Sequence, residues 1–218
     1  MWEIKSKKDK RSYYIDSKRE FCTCKGYYYK YKDMQVQTVA GNNLNLLLTN
    51  AGSSRVYGAE ADFTAILTDR WTLTGGFNWN DPKFKRFPEC PISQPQGGLP
   101  IVSGSCDGNQ IPFASKFTAS AALTYATDLW GGKFQLSGNV YYSDGIYFEA
   151  DNVLFQPSYA KFGGTVRWTA ENGASITLFG SNLTDRRTLL FAGTQQSGNT
   201  RASWADPRTY GVRLGYEF

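Results

Sequence analysis

The feature that most constrains this chain is the strict alternation of its last stretch, PRTYGVRLGYEF (207–218). On an extended backbone Tyr210, Val212, Leu214, Tyr216 and Phe218 share one face, while Thr209, Gly211, Arg213, Gly215 and Glu217 share the other. A half-buried strand of a soluble sandwich also alternates. It less often ends a chain on Phe, with Arg and Glu opposite a row of aromatics. A transmembrane β-barrel strand needs this arrangement: apolar side chains toward lipid, polar ones toward a wet lumen, and aromatics near the interfaces.

The same period recurs along the chain. Tyr57, Ala59, Ala61, Phe63, Ala65 and Leu67 oppose Gly58, Glu60, Asp62 and Thr64. After the turn Thr68-Asp69-Arg70, residues Trp71, Leu73, Gly75, Phe77 and Trp79 oppose Thr72, Thr74, Gly76, Asn78 and Asn80. Further alternating runs begin near Lys116, Lys133, Lys161 and Ala174, and an earlier one at Tyr27 breaks phase near Asp33. Eight strands are clear, with a ninth at Trp2-Glu3-Ile4.

Connection lengths add a second constraint. Short turns fall near Asp69, Trp130 and Asn172, the last carrying an Asn-Gly hairpin signal. Long connections lie near Asn45, Pro95, Ala150 and Gln195. Short turns on one side and long loops on the other are the habit of an outer-membrane barrel, and they predict a periplasmic end for Phe218. Residues 81–112 hold most of the prolines and read as a connection without strand or helix pattern, about thirty residues long.

Composition excludes several alternatives. No run of about eighteen apolar residues exists, so no transmembrane helix is expected, whereas alternation hides a barrel from such averages. The chain has 0 His, which removes Ser–His–Asp and Cys–His catalysis; no enzyme activity and no cofactor is expected. The net charge of +5 is concentrated at the start, among Lys5, Lys7, Lys8, Lys10, Arg11 and the cations that follow. These residues read as a solvated segment rather than a nucleic-acid site, although Tyr13, Tyr14 and Tyr27 could serve as stacking partners. Residues 1–25 read as an irregular basic segment, a divergent or damaged strand and turn, and 26–218 as barrel. Residues 1–20 lack the apolar core and cleavage site of a signal peptide, which an outer-membrane protein needs; the chain is therefore expected to be incomplete if it is one.

Neither Cys22/Cys24 nor Cys90/Cys106 has zinc-site spacing. A Cys90–Cys106 disulfide would close a loop of about sixteen residues, worth on the order of 3 kcal/mol in the chain-entropy model, and would imply an oxidising compartment.

The stretches YYYKYKDMQVQ (27–37), NAGSSRVYGAEADF (50–63), LTGGFNWND (73–81), GSNLTDRR (180–187) and DPRTYGVRLGYEF (206–218), with their spacing, resemble the C-terminal barrel of TonB-dependent outer-membrane receptors. The resemblance implies energy-coupled uptake of a scarce nutrient, most often a ferric siderophore, through a barrel of about 22 strands around a plug. It implies outer-membrane lipid and the barrel-assembly machinery as partners. The TonB complex would be reached only through a plug region that these residues do not supply. The aromatic row Tyr210, Val212, Leu214, Tyr216 and Phe218 would carry the assembly signal. The expectation is a receptor fragment that does not transport alone; the alternative is a small closed outer-membrane barrel with a structural or adhesive role. Glu60, Asp62, Arg167, Arg213 and Glu217 are candidate lumen contacts, set against the plainer reading of wall-to-wall pairing. The loop of Cys90 and Cys106 and the aromatic loop 147–155 are candidates for ligand capture, because binding residues concentrate on loops.

Overall fold

The computed structural model describes residues 12–17, 20–39, 46–92, 102–194 and 199–217, so Trp2-Glu3-Ile4 and Phe218 lie outside the described residues. In chain order the strands are β1 (Ser12–Ser17), β2 (Glu20–Lys32), β3 (Gln35–Val39), β4 (Leu46–Asn50), β5 (Ser53–Ile66), β6 (Trp71–Arg86), β7 (Cys90–Ile92) and β8 (Val102–Gly104). They continue with β9 (Phe117–Asp128), β10 (Gly132–Tyr147), β11 (Phe155–Ala170), β12 (Ala174–Ser181), β13 (Leu189–Thr194), β14 (Thr200–Trp204) and β15 (Thr209–Tyr216).

Nine of them form one antiparallel wall in the order β1-β2-β5-β6-β9-β10-β11-β12-β15. Its wall strands from β5 to β11 run 12 to 16 residues, long enough for tilted spans that also project past a bilayer. Three small hairpins, β3–β4, β7–β8 and β13–β14, each rise between consecutive wall strands at the same end. The opposite end carries tight turns. Trp130 and Gly131 both have positive φ (52° and 66°), as a two-residue primed turn requires. Among the described residues β1 and β15 stand at the two edges and do not pair with each other.

Register settles the faces. Trp79, Phe77, Gly75, Leu73 and Trp71 lie opposite Phe117, Ala119, Ala121, Leu123 and Tyr125. The apolar row continues through Leu136, Val140, Val166, Leu178 and Val212 on successive strands. The other face carries Asn78, Thr118, Ser137, Thr165, Arg167, Thr177 and Arg213. Among the described residues no second layer covers the apolar face: Leu136, Phe162, Ile176 and Leu178 stay exposed. A water-soluble fold would bury such a surface.

Two parts of the wall were not legible as strand. Ser12–Ser17 and Glu20–Lys25 form an antiparallel hairpin, although the sequence there does not alternate and reads as an irregular segment, a divergent or damaged strand and turn. The backbone ladder from β2 to β5, Glu20↔Ala65 through Lys32↔Ser53, holds the start of β2 regardless of side-chain pattern, and the ladder from β2 in turn holds β1. The described residues of 81–112 (81–92 and 102–112) likewise hold more strand than their prolines suggest, because β6 runs on to Arg86 and β7 pairs with β8. Pro82 is tolerated for a local reason. It shares parity with Phe84, whose N–H bonds the Asn109 carbonyl, so its missing N–H points past the end of β9, where no wall bond is due.

Candidate functional site at the long-loop end

The buried core lies above the wall, among the long connections. Ala51, Phe84, Phe87, Cys90, Cys106 and Ala150 form the cluster, with Met34, Ile92 and Ile111 packed against it. Phe84 and Phe87 meet at 5.2 Å between ring centroids. Cys90 and Cys106 are joined, with their Cα atoms 5.6 Å apart. Backbone bonds close the loop on itself: Cys106 N–H to the Phe87 carbonyl (3.0 Å) and Ile111 N–H to the Pro82 carbonyl (3.0 Å).

Neighbouring loops are tied to this one through side chains. Asn109 Nδ2 donates to the Ala150 carbonyl (2.9 Å), and Asn152 both accepts from Gln110 N–H (2.7 Å) and donates to the Gln110 carbonyl (2.9 Å). Glu149 receives the N–H and hydroxyl of Thr194 (2.8 and 2.9 Å), and Gln156 receives Leu189 N–H (2.6 Å). Three connections thus hold one another in place. At their junction Phe113, Phe148 and Phe191 form an aromatic group: Phe113 stacks on Phe191 at 6.5 Å, and Phe148 meets Phe113 edge-on at 5.8 Å. Phe148 is buried, while Phe113 and Phe191 are exposed. Phe113 also has φ 59°, an uncommon conformation for a bulky residue. Two exposed rings on a braced support suit a flat or aromatic ligand.

The five candidate lumen contacts share the polar face but not one site. Glu60 Oε1 lies 3.6 Å from Lys25 Nζ, and Asp62 sits one pair along, opposite Gly76. Arg167, Thr177 and Arg213 form a row four strands and more away, with the Arg213 guanidinium 5.7 Å from the Phe179 ring. Glu217 is at the tight-turn end, its N–H donated to the Gly173 carbonyl (3.0 Å). Sequence reading missed a further element of the polar face. Tyr27, Tyr29 and Tyr31 stack along β2 with centroids 5.4 and 6.2 Å apart, and Tyr27 Oη donates to Asn78 Oδ1 (2.9 Å). Their shared face was legible from period two. Which face it is depends on register, Lys25 opposite Glu60 and Tyr27 opposite Gly58. Cys22 and Cys24 lie on the apolar face with sulfurs 3.4 Å apart.

The sequence motifs are parts of the wall. In the run from Arg55 to Glu60, Gly58 is required by close approach, since a Cβ there would meet the Trp79 carbonyl at 2.2 Å. Arg55 Nη2 and Lys83 Nζ both reach Asp81, at 2.9 and 3.2 Å. Burial pushes the Asp81 carboxyl up, but bonds from Lys83, Tyr57 and Arg55 outweigh it and hold the group below the usual carboxylate value. In the 180–187 motif Asn182 accepts from Arg186 N–H (2.9 Å) and donates to the Arg186 and Asp206 carbonyls, while Asp185 accepts Arg208 N–H (3.0 Å). That network fixes the departure from β12 and the return to β15. Among the described residues no group of three or more His, Cys, Asp or Glu side chains is placed to hold a metal.

Comparison with known proteins places this geometry. The family described as TonB dependent receptor-like, beta-barrel matches residues 25–183. The chain is 26% identical over 144 residues to a probable TonB-dependent siderophore receptor, PiuA, of Acinetobacter baumannii, covering 63% of this chain and 18% of that protein. It is 24% identical over 192 residues to the pesticin receptor of Yersinia pestis, covering 88% of this chain and 26% of that one. Among solved structures, the ferric yersiniabactin uptake receptor FyuA of Yersinia pestis superposes with a TM-score of 0.76 at 23% identity, over 95% of this chain and 29% of its own. The siderophore receptor PiuA of Acinetobacter baumannii gives 0.66 at 23% identity, over 90% and 25%. These likenesses are of fold. The chain spans about a fifth to a quarter of the length of the curated relatives it matches.

Proposed function

The chain belongs to the TonB-dependent receptor-like β-barrel family, and from that premise we propose that it forms an arc of an outer-membrane receptor wall for energy-coupled uptake of a ferric siderophore or a similar scarce chelate. The observation that carries this reading is the pairing of an uncovered apolar wall face with a braced loop cluster at one end only. Lipid covers the apolar face, the polar face lines the lumen, and the loop cluster lies outside the cell. The tight turns, with the end of β15, then face the periplasm. Phe113 and Phe191 meet the ligand, and the tyrosine ladder of β2 stands along its way inward.

Among the described residues the outer edges of β1 and β15 have no neighbouring strand, which hydrocarbon does not satisfy. The arc therefore does not transport alone, and its role is receptor-like rather than enzymatic. Nothing in the strand order favours a small closed barrel. β15, whose outward row is Tyr210, Val212, Leu214 and Tyr216, serves as the strand read by the barrel-assembly machinery. The test is uptake of a labelled ferric siderophore by vesicles. None is expected from this chain alone, and uptake that depends on Phe113 and Phe191 is expected from the receptor that contains it. Ligand-specific uptake by the isolated chain would overturn the reading.

A further inference from the structure

The apolar face does not stay apolar along the whole of β2, β5 and β6. From the membrane level toward the loops, its rows read Ala59 with Trp79, Tyr57 with Tyr28 and Asp81, Arg55 with Lys30 and Lys83, then Ser53 with Lys32 and Arg86. The face thus changes within two residue pairs from aromatic to cationic. Tyr57 and Trp79 meet edge-on at 5.8 Å, and the Arg55 guanidinium lies over the Tyr57 ring at 4.6 Å. Asp81 is matched by Arg55 and Lys83. Lys30, Lys32 and Arg86 have no ion-pair partner among the described residues, and all three are exposed.

These three cations line one cleft of about 440 Å³ with Asp33, Gly52, Ser53 and Pro88. Asp33 is the one carboxylate on its lining. Gly52 lets the backbone pass close to Arg86 at the cleft. It has φ 61°, and a Cβ there would meet the Arg86 carbonyl at 2.7 Å. The cleft opens on the outside of the wall, away from the polar face and its ligand route, so a cargo in the lumen would not meet it.

We propose that this outward cleft binds the phosphorylated headgroup of an outer-leaflet lipid, through Lys30, Lys32 and Arg86. Aromatic rings mark the level at which hydrocarbon gives way to headgroups, and a cationic cleft immediately beyond that level meets lipid phosphate first. The seated headgroup anchors the wall at the foot of the loop cluster, because Arg86 adjoins Phe87 and Lys32 adjoins Asp33 and Met34. The inference rests on the barrel reading above, since only a lipid-facing wall offers a headgroup to this cleft.

The test uses the receptor containing this chain, in nanodiscs of phosphatidylcholine doped with a diphosphorylated glycolipid, with retained glycolipid counted by native mass spectrometry. The wild type should retain the glycolipid, and each of Lys30→Ser, Lys32→Ser and Arg86→Ser should weaken retention roughly fivefold. Lys30→Arg should restore it, and Lys133→Ser, at the far end of the wall, should leave it unchanged. Equal retention by the triple Ser variant would overturn the proposal. Full displacement by inorganic phosphate would overturn it too, by showing an anion site indifferent to lipid. A spin label at Trp79 separates the two readings. Water exposure there sinks the barrel reading, whereas lipid exposure with unchanged retention sinks this inference alone.

Discussion

The wall and the loop cluster are stabilised in opposite ways. Among the described residues the wall is one layer thick: its ladders satisfy the backbone, but side chains such as Leu178 and Leu214 stay exposed on its apolar face. The loop cluster has what the wall lacks. Phe84, Phe87, Cys90 and Cys106 are fully buried, a disulfide crosses the loop, and side-chain amides brace three connections. One region therefore relies on lipid for its hydrophobic driving force, and the other carries its own core into water. A mutation should be read by region before it is read by residue.

The sharpest way to probe that division is Phe84→Ala. Emptying a fully buried ring site should cost about 3–5 kcal/mol, all of it in the loops. Limited proteolysis should then cut within 87–113 while the wall keeps its protection; loss of wall protection would show that the two regions are one cooperative unit. Next in size is Val140→Arg. On the lipid face near mid-wall it should cost about 2–4 kcal/mol in vesicle unfolding, whereas Asn139→Arg, one residue away on the polar face, should cost well under half of that. Equal costs would erase the distinction between faces.

Reduction of Cys90–Cys106, or its replacement by two serines, should cost about 2–3 kcal/mol, again confined to the loops. Hydrogen exchange should rise at Cys106 and Ile111 but not along β9 or β10. The smallest effect belongs to Asp81, on the outward face at the loop-side aromatic level, in the row of Tyr57 and Tyr28. Asp81→Asn should cost about 0.5 kcal/mol near neutral pH. Its folded carboxyl value is depressed, so that contribution is full above the unfolded value and is lost as pH falls through the folded one. The wild type and variant should therefore converge in acid, and a gap that widens there would contradict the ion-pair account.

Much of the wall was legible because its rule is local. Period two, repeated from Tyr57 to Phe63, from Trp71 to Trp79 and onward, needs no knowledge of partners to declare a two-faced strand. What failed to show is what partners decide. β1 and the start of β2 carry no alternation; the ladder to β5 makes the start of β2 strand, and the ladder to β2 makes β1 strand. Tyr27, Tyr29 and Tyr31 look like a lipid-facing row until register sets Lys25 against Glu60. The loop cluster was the least legible part. Its Pro- and Gly-rich sequence advertises irregularity, while the burial of Phe84 and Phe87 and the bracing by Asn109, Asn152 and Glu149 join residues more than forty positions apart. The proposed ligand-facing rings, Phe113 and Phe191, belong to the same class, since they and the buried Phe148 beside them have no common spacing.

The measurement that bears most directly on the central claim is a spin-label scan of β10 from Phe134 to Tyr142 in a lipid bilayer, in a background with Cys22 and Cys24 replaced by serine. Labels at Phe134, Leu136, Gly138, Val140 and Tyr142 should be accessible to dissolved oxygen and shielded from a water-soluble nickel chelate. Labels at Gln135, Ser137, Asn139 and Tyr141 should show the reverse. Uniform accessibility along the strand, or oxygen preference at the odd positions, would contradict a wall that faces lipid on one side and a wet lumen on the other.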